Sequence, residues 1–277
     1  MANLKEIRTR ISSVTSTRKI TGAMKMVSAA KFKKAQNNLL RFRPFYEEIN
    51  HLAADLIKSS VSNESAYMIE REQVRNIGVV LITSNNSMCG AFNANIIKRA
   101  LVVLNELNRQ YPQAKVIFYP LGKTGEEFLV KNKFNVVSCN NAIIEKPSVE
   151  RTKDFFNLLN SLYLGNELDR IVLVYNSFKN AATQIQKVET LLPLVTPDEQ
   201  YGSEDLRIVE PDPATLLDRL LPYYLLNSLH SSILESSAAE HGARMTAMHQ
   251  ATENATTIMN NLILEYNKAR QASITNE

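Results

Sequence analysis

Two short segments of the sequence contain residue types that carry phosphate chemistry in other folds. Residues 84–91, Ser-Asn-Asn-Ser-Met-Cys-Gly-Ala, follow a predicted buried strand, where a doubly wound fold places its phosphate loop. They contain one glycine, so the backbone cannot approach a pyrophosphate as the usual three-glycine pattern allows. Gly122-Lys123-Thr124 ends like a P-loop, but residue 117, where that pattern requires glycine, is isoleucine. Neither segment therefore predicts a nucleotide site.

Titratable residues near the C-terminus and after the first strand also fail to form a catalytic set. His241 and His249 are eight residues apart, too far for the i, i+4 spacing of two helical metal ligands, and a packed or hydrogen-bonded role is favoured for His241. Glu240 could act as an acid or base, but no nucleophile or oxyanion site accompanies it. Cys89 could be a reactive thiol, although a small apolar residue at a tight turn is the favoured interpretation. We predict no catalytic residue, no metal site and no cofactor.

The composition favours a chain with a sizeable core and long helices. The 277 residues are 44% hydrophobic and 22% charged, with only 8 glycines and 9 prolines. No apolar run reaches the roughly 18 to 20 residues that span a bilayer, and residues 1–6 lack the apolar core of a signal peptide. Two cysteines, Cys89 and Cys139, are too few for a disulfide framework and suit a reducing cytoplasm.

Positive charge is concentrated at the N-terminus. Residues 1–43 contain eleven Lys and Arg and one acidic residue, Glu6, whereas the net charge of the whole chain is +4. Such a segment indicates an anionic partner. Nucleic acid, lipid headgroups and an acidic protein surface are the alternatives to a merely solvated helix face. Phe32 and Phe42 are the only aromatic residues of this segment, which disfavours base stacking.

The N-terminal segment, residues 1–58, is predicted to be one long, slightly irregular helix. The apolar stripe slips between Val14 and Ile20, and Pro44 is expected to bend the helix. The residues that recur at helical spacing are Leu4, Ile7, Ile11 and Val14, then Ile20, Met24 and Val27, then Phe45, Ile49, Leu52 and Leu56.

The C-terminal segment, residues 213–277, has a heptad pattern. Two rows with a spacing of seven alternate by three and four, which predicts a thin coiled-coil seam. An antiparallel pair with the N-terminal helix would bury both stripes. The rows are Ala238, Met245, Thr252, Met259 and Tyr266, and His241, Met248, Ala255, Leu262 and Ala269.

The middle of the chain predicts an α/β domain. Its apolar strands alternate with helices, which is typical of a mostly parallel sheet covered on both faces. The fold class is therefore α/β, with a central Rossmann-like domain and a long antiparallel coiled coil of the N- and C-terminal helices. The predicted strands are 77–83, 115–119, 170–175 and 184–191, and the predicted helices are 91–109, 125–131 and 149–164. The predicted division is helix 1–58, connector 59–75, domain 76–195, connector 196–212 and helix 213–277.

Motifs along the whole chain resemble the γ subunits of F-type ATP synthases. Residues 7–31, which include Ala-Met-Lys-Met-Val-Ser-Ala-Ala-Lys, are similar to the N-terminal signature of that family. Residues 240–255 and 266–275 resemble its C-terminal signature, and residues 89–93 and 174–178 resemble motifs of its middle domain.

Two departures from the family pattern concern local contacts. Asn85-Asn86-Ser87 stands where the family usually has Asp-Arg-Gly, and Ala239 stands where it usually has serine. We therefore expect the contacts of this loop to differ from those of other members.

The resemblance implies a role for the chain. The coiled coil would stand inside a hexamer of three α and three β subunits, and the domain would contact the ε subunit and the c-ring of the membrane sector. The chain would be the non-catalytic central rotor stalk that couples proton-driven ring rotation to ATP synthesis or hydrolysis on β subunits. It would lie peripherally at the cytoplasmic face of the bacterial inner membrane, touching the membrane only through partners and binding no nucleic acid.

The resemblance also assigns contact residues. Glu210 would lie in the part of the chain nearest the c-ring, which we call the foot. The residues expected to contact the surrounding α and β subunits are Arg8, Met24, Lys25, Lys31, Arg270, Gln271 and Thr275.

Two rival functions follow from the residues alone. A free-standing nucleic-acid-binding coiled coil would show salt-dependent binding to DNA or RNA. A small α/β enzyme with helical arms would show turnover by the purified chain.

Overall fold

The computed structural model of the protein describes residues 4–59, 65–138, 141–194, 210 and 213–276. Each helix and strand expected from the sequence pattern is present, and the four-residue α4 is an addition to them. The elements in chain order are α1 Leu4–Ser59, β1 Asn76–Ile82, α2 Phe92–Gln110, β2 Lys115–Leu121, α3 Lys123–Lys131, α4 Ala142–Glu145, α5 Val149–Leu164, β3 Arg170–Phe178, β4 Gln184–Leu192 and α6 Pro213–Asn276.

The two terminal helices, α1 and α6, form an antiparallel pair. As residue numbers rise along α1, the numbers of the residues that they contact fall along α6. The pairs in contact are Arg8–Tyr266, Thr15–Met259, Thr21–Thr252, Lys25–His249 and Phe42–His230. The predicted antiparallel coiled coil is therefore confirmed.

The buried stripe of α1 differs in its middle from the predicted one. Ile20 and Val27 are 60% and 57% exposed, so their assignment to the stripe was wrong. Phe45 is 46% exposed, but its ring packs edge-to-face on Tyr223 of α6. The stripe does not slip after Val14, because polar residues continue it at spacings of three and four. The seam residues of this stretch are Arg18, Thr21, Lys25 and Ser28, all buried or half-buried.

The stripe of α6 agrees with the heptad prediction. All ten seam residues, from Ala238 to Ala269, are buried or half-buried. Between Leu225 and Arg244 most residues of α6 are buried, because the α/β domain packs on this part of the helix. From His249 onward the covered residues are those of the seam and the adjacent Ala251 and Thr256. We call residues 4–31 of α1 and 249–276 of α6 the protruding coil, which at 1.5 Å per residue is about 40 Å long.

The sheet has the strand order β2-β1-β3-β4. β1 pairs in parallel with β2 and with β3, and β4 is antiparallel to β3. One face is covered by α2, whose Ile96 and Val103 belong to the same core as Val79 of β1. The other face packs on α5 and α6 through residues such as Leu159 and Leu225. A mostly parallel sheet covered on both faces is thus observed.

Arg71 fastens the segment before β1 to the domain. Its guanidinium donates to Asp169 Oδ1 at 2.7 Å and to the Leu168 carbonyl at 3.0 Å, and it stacks over the Tyr163 ring. Burial raises the pKa of Asp169, but hydrogen bonds from the backbone N–H of Asn76 and from Arg71 outweigh it and leave the pKa below its usual value. This network fixes the start of β1.

Some sequence predictions stay predictions. Most of the connector assigned to 196–212 and part of that assigned to 59–75 lie outside the described residues, as does Cys139. Pro44 lies inside α1 without ending it.

In the described ranges, no helix combines the length and the hydropathy that crossing a membrane requires.

Candidate functional site: the protruding coil and its base

The protruding coil carries an excess of positive charge. Its two segments contain nine Lys and Arg against three acidic residues. Arg10 forms an ion pair with Glu6 at 2.9 Å, but exposed pairs of this kind contribute only about 0 to 1 kcal/mol. Seven of the nine cations are exposed, so most of the excess charge faces solvent, where it can attract an acidic partner.

Two of the predicted contact residues link α1 to α6. Arg8 donates from Nη2 to the Tyr266 hydroxyl at 3.0 Å, and its guanidinium lies 5.8 Å from the centroid of the Tyr266 ring. Lys25 Nζ lies 3.1 Å from His249 Nδ1. Both cations therefore help to hold the two helices together, and their contact with partner subunits stays a prediction.

The remaining predicted residues of the coil are spread along its length. Met24 is half-buried, whereas Lys31, Arg270, Gln271 and Thr275 are exposed. The last three lie near the first turns of α1, since Arg8 contacts Tyr266. The structure thus places Arg8 and Arg270 at one end of the coil, while Lys31 lies about 35 Å away along α1.

Glu210, the predicted foot residue, lies far from these positions. It is exposed and precedes the start of α6 by three residues. Thr275 lies at the other end of α6, so the two sites are separated by about 90 Å of helix. The structure therefore does not bring Glu210 together with the other predicted residues.

Hydroxyl groups replace apolar side chains in the middle of the seam. Thr252 Oγ1 lies 2.9 Å from Thr21 Oγ1 and also donates to the Met248 carbonyl at 2.8 Å. Thr15 Oγ1 lies 3.7 Å from Met259 Sδ. These hydrogen bonds offset the cost of burying the hydroxyl groups, and the small side chains keep the coil thin. An apolar pattern gives no signal for such a stretch, so the sequence reasoning missed Thr15 and Thr21.

A buried ion pair lies at the base of the protruding coil. Arg244 Nη1 donates to Glu240 Oε1 at 2.7 Å, and both side chains are at least nine-tenths buried. Burial raises the pKa of Glu240, and the Arg244 guanidinium opposes this effect. Arg244 also donates from Nη2 to the Asn86 carbonyl at 2.9 Å. Arg244 therefore connects the loop after β1 to α6. Glu240 orients Arg244 for this contact, so its role is structural.

His241 is half-buried in the seam next to this pair. Burial lowers its pKa to about 4, and the positive charges of Arg244 and Lys31 act in the same direction. The imidazole is therefore neutral at pH 7, which agrees with the packed role favoured by the sequence.

The loop after β1 is filled by its own side chains. Asn93 Oδ1 accepts from the Ser84 backbone N–H at 3.0 Å, and its Nδ2 donates to Ser84 Oγ at 2.7 Å and to Cys89 Sγ at 3.3 Å. Cys89 is 2% exposed and packs with Phe92 and Ala243. The Cys89 thiol is thus part of a packed turn, which agrees with the interpretation favoured from the sequence. Asn93 holds this turn together, and the sequence analysis did not identify it.

The P-loop-like tripeptide at 122–124 is explained by packing. Gly122 has φ +118°, and a Cβ atom there would lie 2.3 Å from the Thr83 carbonyl oxygen. The first backbone donors of α3 are already occupied: Lys123 N–H donates to Asn85 Oδ1 and Gly125 N–H to Thr83 Oγ1. Glycine is therefore needed for close approach of two strand ends.

Relatives of the chain are ATP synthase γ chains. A family model described as ATP synthase matches residues 3–277. The ATP synthase gamma chain of Christiangramia forsetii is 44% identical, and the alignment covers 100% of this chain and 96% of the relative. The gamma chain of Flavobacterium johnsoniae is 45% identical with the same coverage. That of Bacteroides thetaiotaomicron is 37% identical over 100% of this chain and 97% of the relative.

Solved structures with the same fold come from mitochondrial ATP synthases. A chain of the Tetrahymena thermophila central stalk and c-ring structure is 24% identical, with a TM-score of 0.58 over 84% of this chain and 99% of that one. A chain of the Euglena gracilis rotor in rotational state 1 is 19% identical, with a TM-score of 0.65 over 98% of each chain. These likenesses concern the fold. Since the family model and the relatives span almost the full sequence, the chain belongs to the family of ATP synthase γ chains.

Proposed function

We propose that the chain is the central rotor of an F-type ATP synthase, which couples proton-driven rotation of a c-ring to ATP synthesis or hydrolysis on β subunits. The observation that carries the proposal is the protruding coil, a thin, positively charged pair of helices about 40 Å long. In this function the chain supplies no catalytic group and acts by transmitting torque.

The coil has the properties of a stiff shaft. α6 is one helix of 64 residues in which Pro222 lies near the start, where the α/β domain covers it. Hydrogen bonds between α1 and α6 recur along the coil, at Arg8, Thr21 and Lys25. Two helices tied at several levels resist twisting relative to each other, so torque applied at the domain reaches the tip of the coil.

The surface of the coil suits smooth rotation. Its cations are distributed along about 40 Å, and exposed ion pairs are individually worth about 0 to 1 kcal/mol. Attraction to acidic partner loops is therefore broad and shallow. A single deep energy well at one angle would stop rotation, and a surface of this kind avoids it.

The proposed partners follow from this arrangement. The protruding coil would stand inside the hexamer of α and β subunits, where Met24, Lys25 and Arg270 would contact them. The domain of residues 76–195 and Glu210 would contact the ε subunit and the c-ring. Because several relatives are bacterial, we place the complex at the cytoplasmic face of the inner membrane, with this chain as a peripheral subunit.

A rotation assay tests the proposal. The chain is assembled with α and β subunits after Cys139→Ser and Lys98→Cys changes, the latter on the exposed side of α2. A bead attached at residue 98 is then observed in immobilised complexes. We expect a complex with three α and three β subunits per chain and rotation in one direction when ATP is added, with no rotation in ADP alone.

Two outcomes would contradict the rotor function. Assembly without ATP-driven rotation would remove the coupling role. Failure to assemble, together with salt-dependent binding of the chain to DNA, would favour the nucleic-acid-binding alternative.

A further inference from the structure

A cleft of about 600 Å³ lies where the α/β domain meets the coil. α1 and α6 form one wall, and the loops that follow β1 and β2 form the other, together with α4 and the residues after it. Ligands of open α/β sheets bind outside the carboxyl ends of the strands. Small-molecule sites occupy roughly 300 to 1,000 Å³ and occur between substructures of a fold. Both the position and the size of the cleft therefore suit a small ligand.

Four exposed lysines from separate elements line this cleft. Lys31 and Lys34 lie on α1, Lys123 begins α3, and Lys146 directly follows α4. None of the four forms an ion pair within 4.0 Å with a carboxylate of the described residues. Unpaired ammonium groups around one cavity repel one another unless an anion lies between them.

The charge balance of the cleft is positive. Among the described residues that line it, the acidic ones are Glu145 and Glu240, and Glu240 is already paired with Arg244 at 2.7 Å. Five basic side chains against two acidic ones leave an excess of three positive charges in the described lining. A concave surface of one sign concentrates ions of the opposite sign.

The remaining lining indicates what else the ligand carries. Ile144, Pro147 and Leu234 give the cleft an apolar wall that can contact an organic group. The backbone N–H groups of Lys123 and Gly125 at the start of α3 already donate to protein atoms. Phosphate groups would therefore be held by lysine side chains and not by a glycine-rich backbone loop.

We propose that this cleft binds a small organic phosphate with at least three negative charges, in the class of nucleoside di- and triphosphates. The phosphates lie among Lys31, Lys34, Lys123 and Lys146, and the organic part lies against the apolar wall. An acidic segment of a partner protein is the competing occupant. A protein partner of standard size covers about 800 Å² on each side, whereas the lysines here surround one cavity of small-molecule size. The inference is independent of the rotor function, because binding is measured on the chain alone.

Calorimetric titration of the full chain tests this inference, with magnesium-free ATP and pyrophosphate as separate probes. We expect saturable binding of both at one site per chain, with ATP at least as tight as pyrophosphate. The double change Lys34→Gln and Lys123→Gln should weaken both affinities about tenfold, the effect of about 1.4 kcal/mol. Lys98→Gln, an exposed lysine on α2 outside the cleft, should leave both unchanged. Circular dichroism checks that each variant is folded.

Several results would overturn the inference. One is the absence of saturable binding, and another is an equal loss of affinity in Lys98→Gln. Binding of pyrophosphate without binding of ATP would show that the cleft does not accept the organic part of the proposed ligand. A polyglutamate peptide whose binding is weakened by the double change Lys34→Gln and Lys123→Gln, while neither probe binds, would identify the cleft as a protein-docking surface.

Discussion

His230 is a single buried group that makes the free energy of unfolding of this chain depend on pH. The residue is 4% exposed on α6, its Nδ1 lies 2.9 Å from Thr152 Oγ1, and its ring packs edge-to-face on Phe42. Burial lowers the pKa of His230 to about 4, against a smaller opposing effect of the Glu150 carboxylate. The imidazole is therefore neutral in the folded protein, while in the unfolded chain it titrates near its ordinary pKa of 6.5.

The stabilising contribution of neutral His230 is lost as pH falls. Between about pH 6.5 and pH 4 the unfolded chain binds a proton that the folded chain excludes, so the free energy of unfolding decreases through this window. The difference between the two pKa values corresponds to about 3 kcal/mol over the whole window. We expect His230→Gln to reduce the loss of stability between pH 7 and pH 5, as measured by urea unfolding at each pH.

A matched control separates His230 from the other titrating groups. His249 is exposed on the same helix and its Nδ1 contacts Lys25 Nζ, so His249→Gln tests whether the loss of any imidazole of α6 alters the pH dependence. An equal slope for His230→Gln and the unmodified protein would show that His230 is not the group responsible. His241 and Glu240 keep their own effects in all three proteins, so the comparison isolates one residue.

At the scale of elements, the sequence predicted the helices and strands well because their patterns are local. Apolar runs such as residues 77–82 place the strands, and small and apolar residues at heptad spacing place the α6 seam. The middle of the α1 seam could not be found this way. Arg18, Thr21 and Lys25 carry the periodicity there, while Ile20 and Val27 face solvent, so the apolar pattern points to the wrong side of the helix.

The candidate site was predictable only in part for a related reason. Positions on the coil, such as Lys25 and Arg270, follow from the order of motifs along the chain. The cleft at its base combines Lys34 of α1 with Lys123 and Lys146 of the domain. Residues so distant in sequence share no spacing rule, and only the docking of the domain on the coil brings them together.

The observed register of the coil can be tested with a pair of cysteines. Thr21 and Thr252 have their Oγ1 atoms 2.9 Å apart, so the double change Thr21→Cys and Thr252→Cys should form an intramolecular disulfide on oxidation. Because the bond closes a very long loop, we expect it to raise the free energy of unfolding by about 2 to 5 kcal/mol. Non-reducing electrophoresis measures the cross-link, and urea unfolding measures the stability.

The neighbouring residue supplies the control for this cross-link. Ile20 is 60% exposed and faces away from α6, so Ile20→Cys with Thr252→Cys should stay reduced under the same conditions. Cross-linking of the Ile20 variant in preference to the Thr21 variant would mean that the stripe of α1 follows the apolar residues after all.

At the scale of the whole molecule, the α/β domain and the protruding coil differ in shape and in charge. The α/β domain packs against α6 up to about Ala247, where Gly90 approaches its side chain. Beyond that point, among the described residues, α1 and α6 contact only each other. The positive excess of residues 4–31 lies on the part that protrudes. A chain built this way presents its cations over the length that a surrounding ring of acidic loops would contact.

Removing charge from the protruding coil should weaken assembly with α and β subunits more than removing it from the domain. The triple change Lys19→Gln, Lys268→Gln and Arg270→Gln removes exposed cations of the coil. We expect about a tenfold weaker association at low salt, and a smaller difference at high salt because screening already reduces these attractions. Quantitative pull-down of α and β subunits at graded ionic strength measures both effects.

The control for this prediction carries the same change in net charge. Lys98→Gln, Lys131→Gln and Lys153→Gln remove three exposed lysines of the α/β domain, and association should stay close to that of the unmodified chain. If both triple variants weaken association equally, net charge alone would explain the effect. If only the coil variant weakens it, the attraction acts along the shaft, since that is where the removed charges lie.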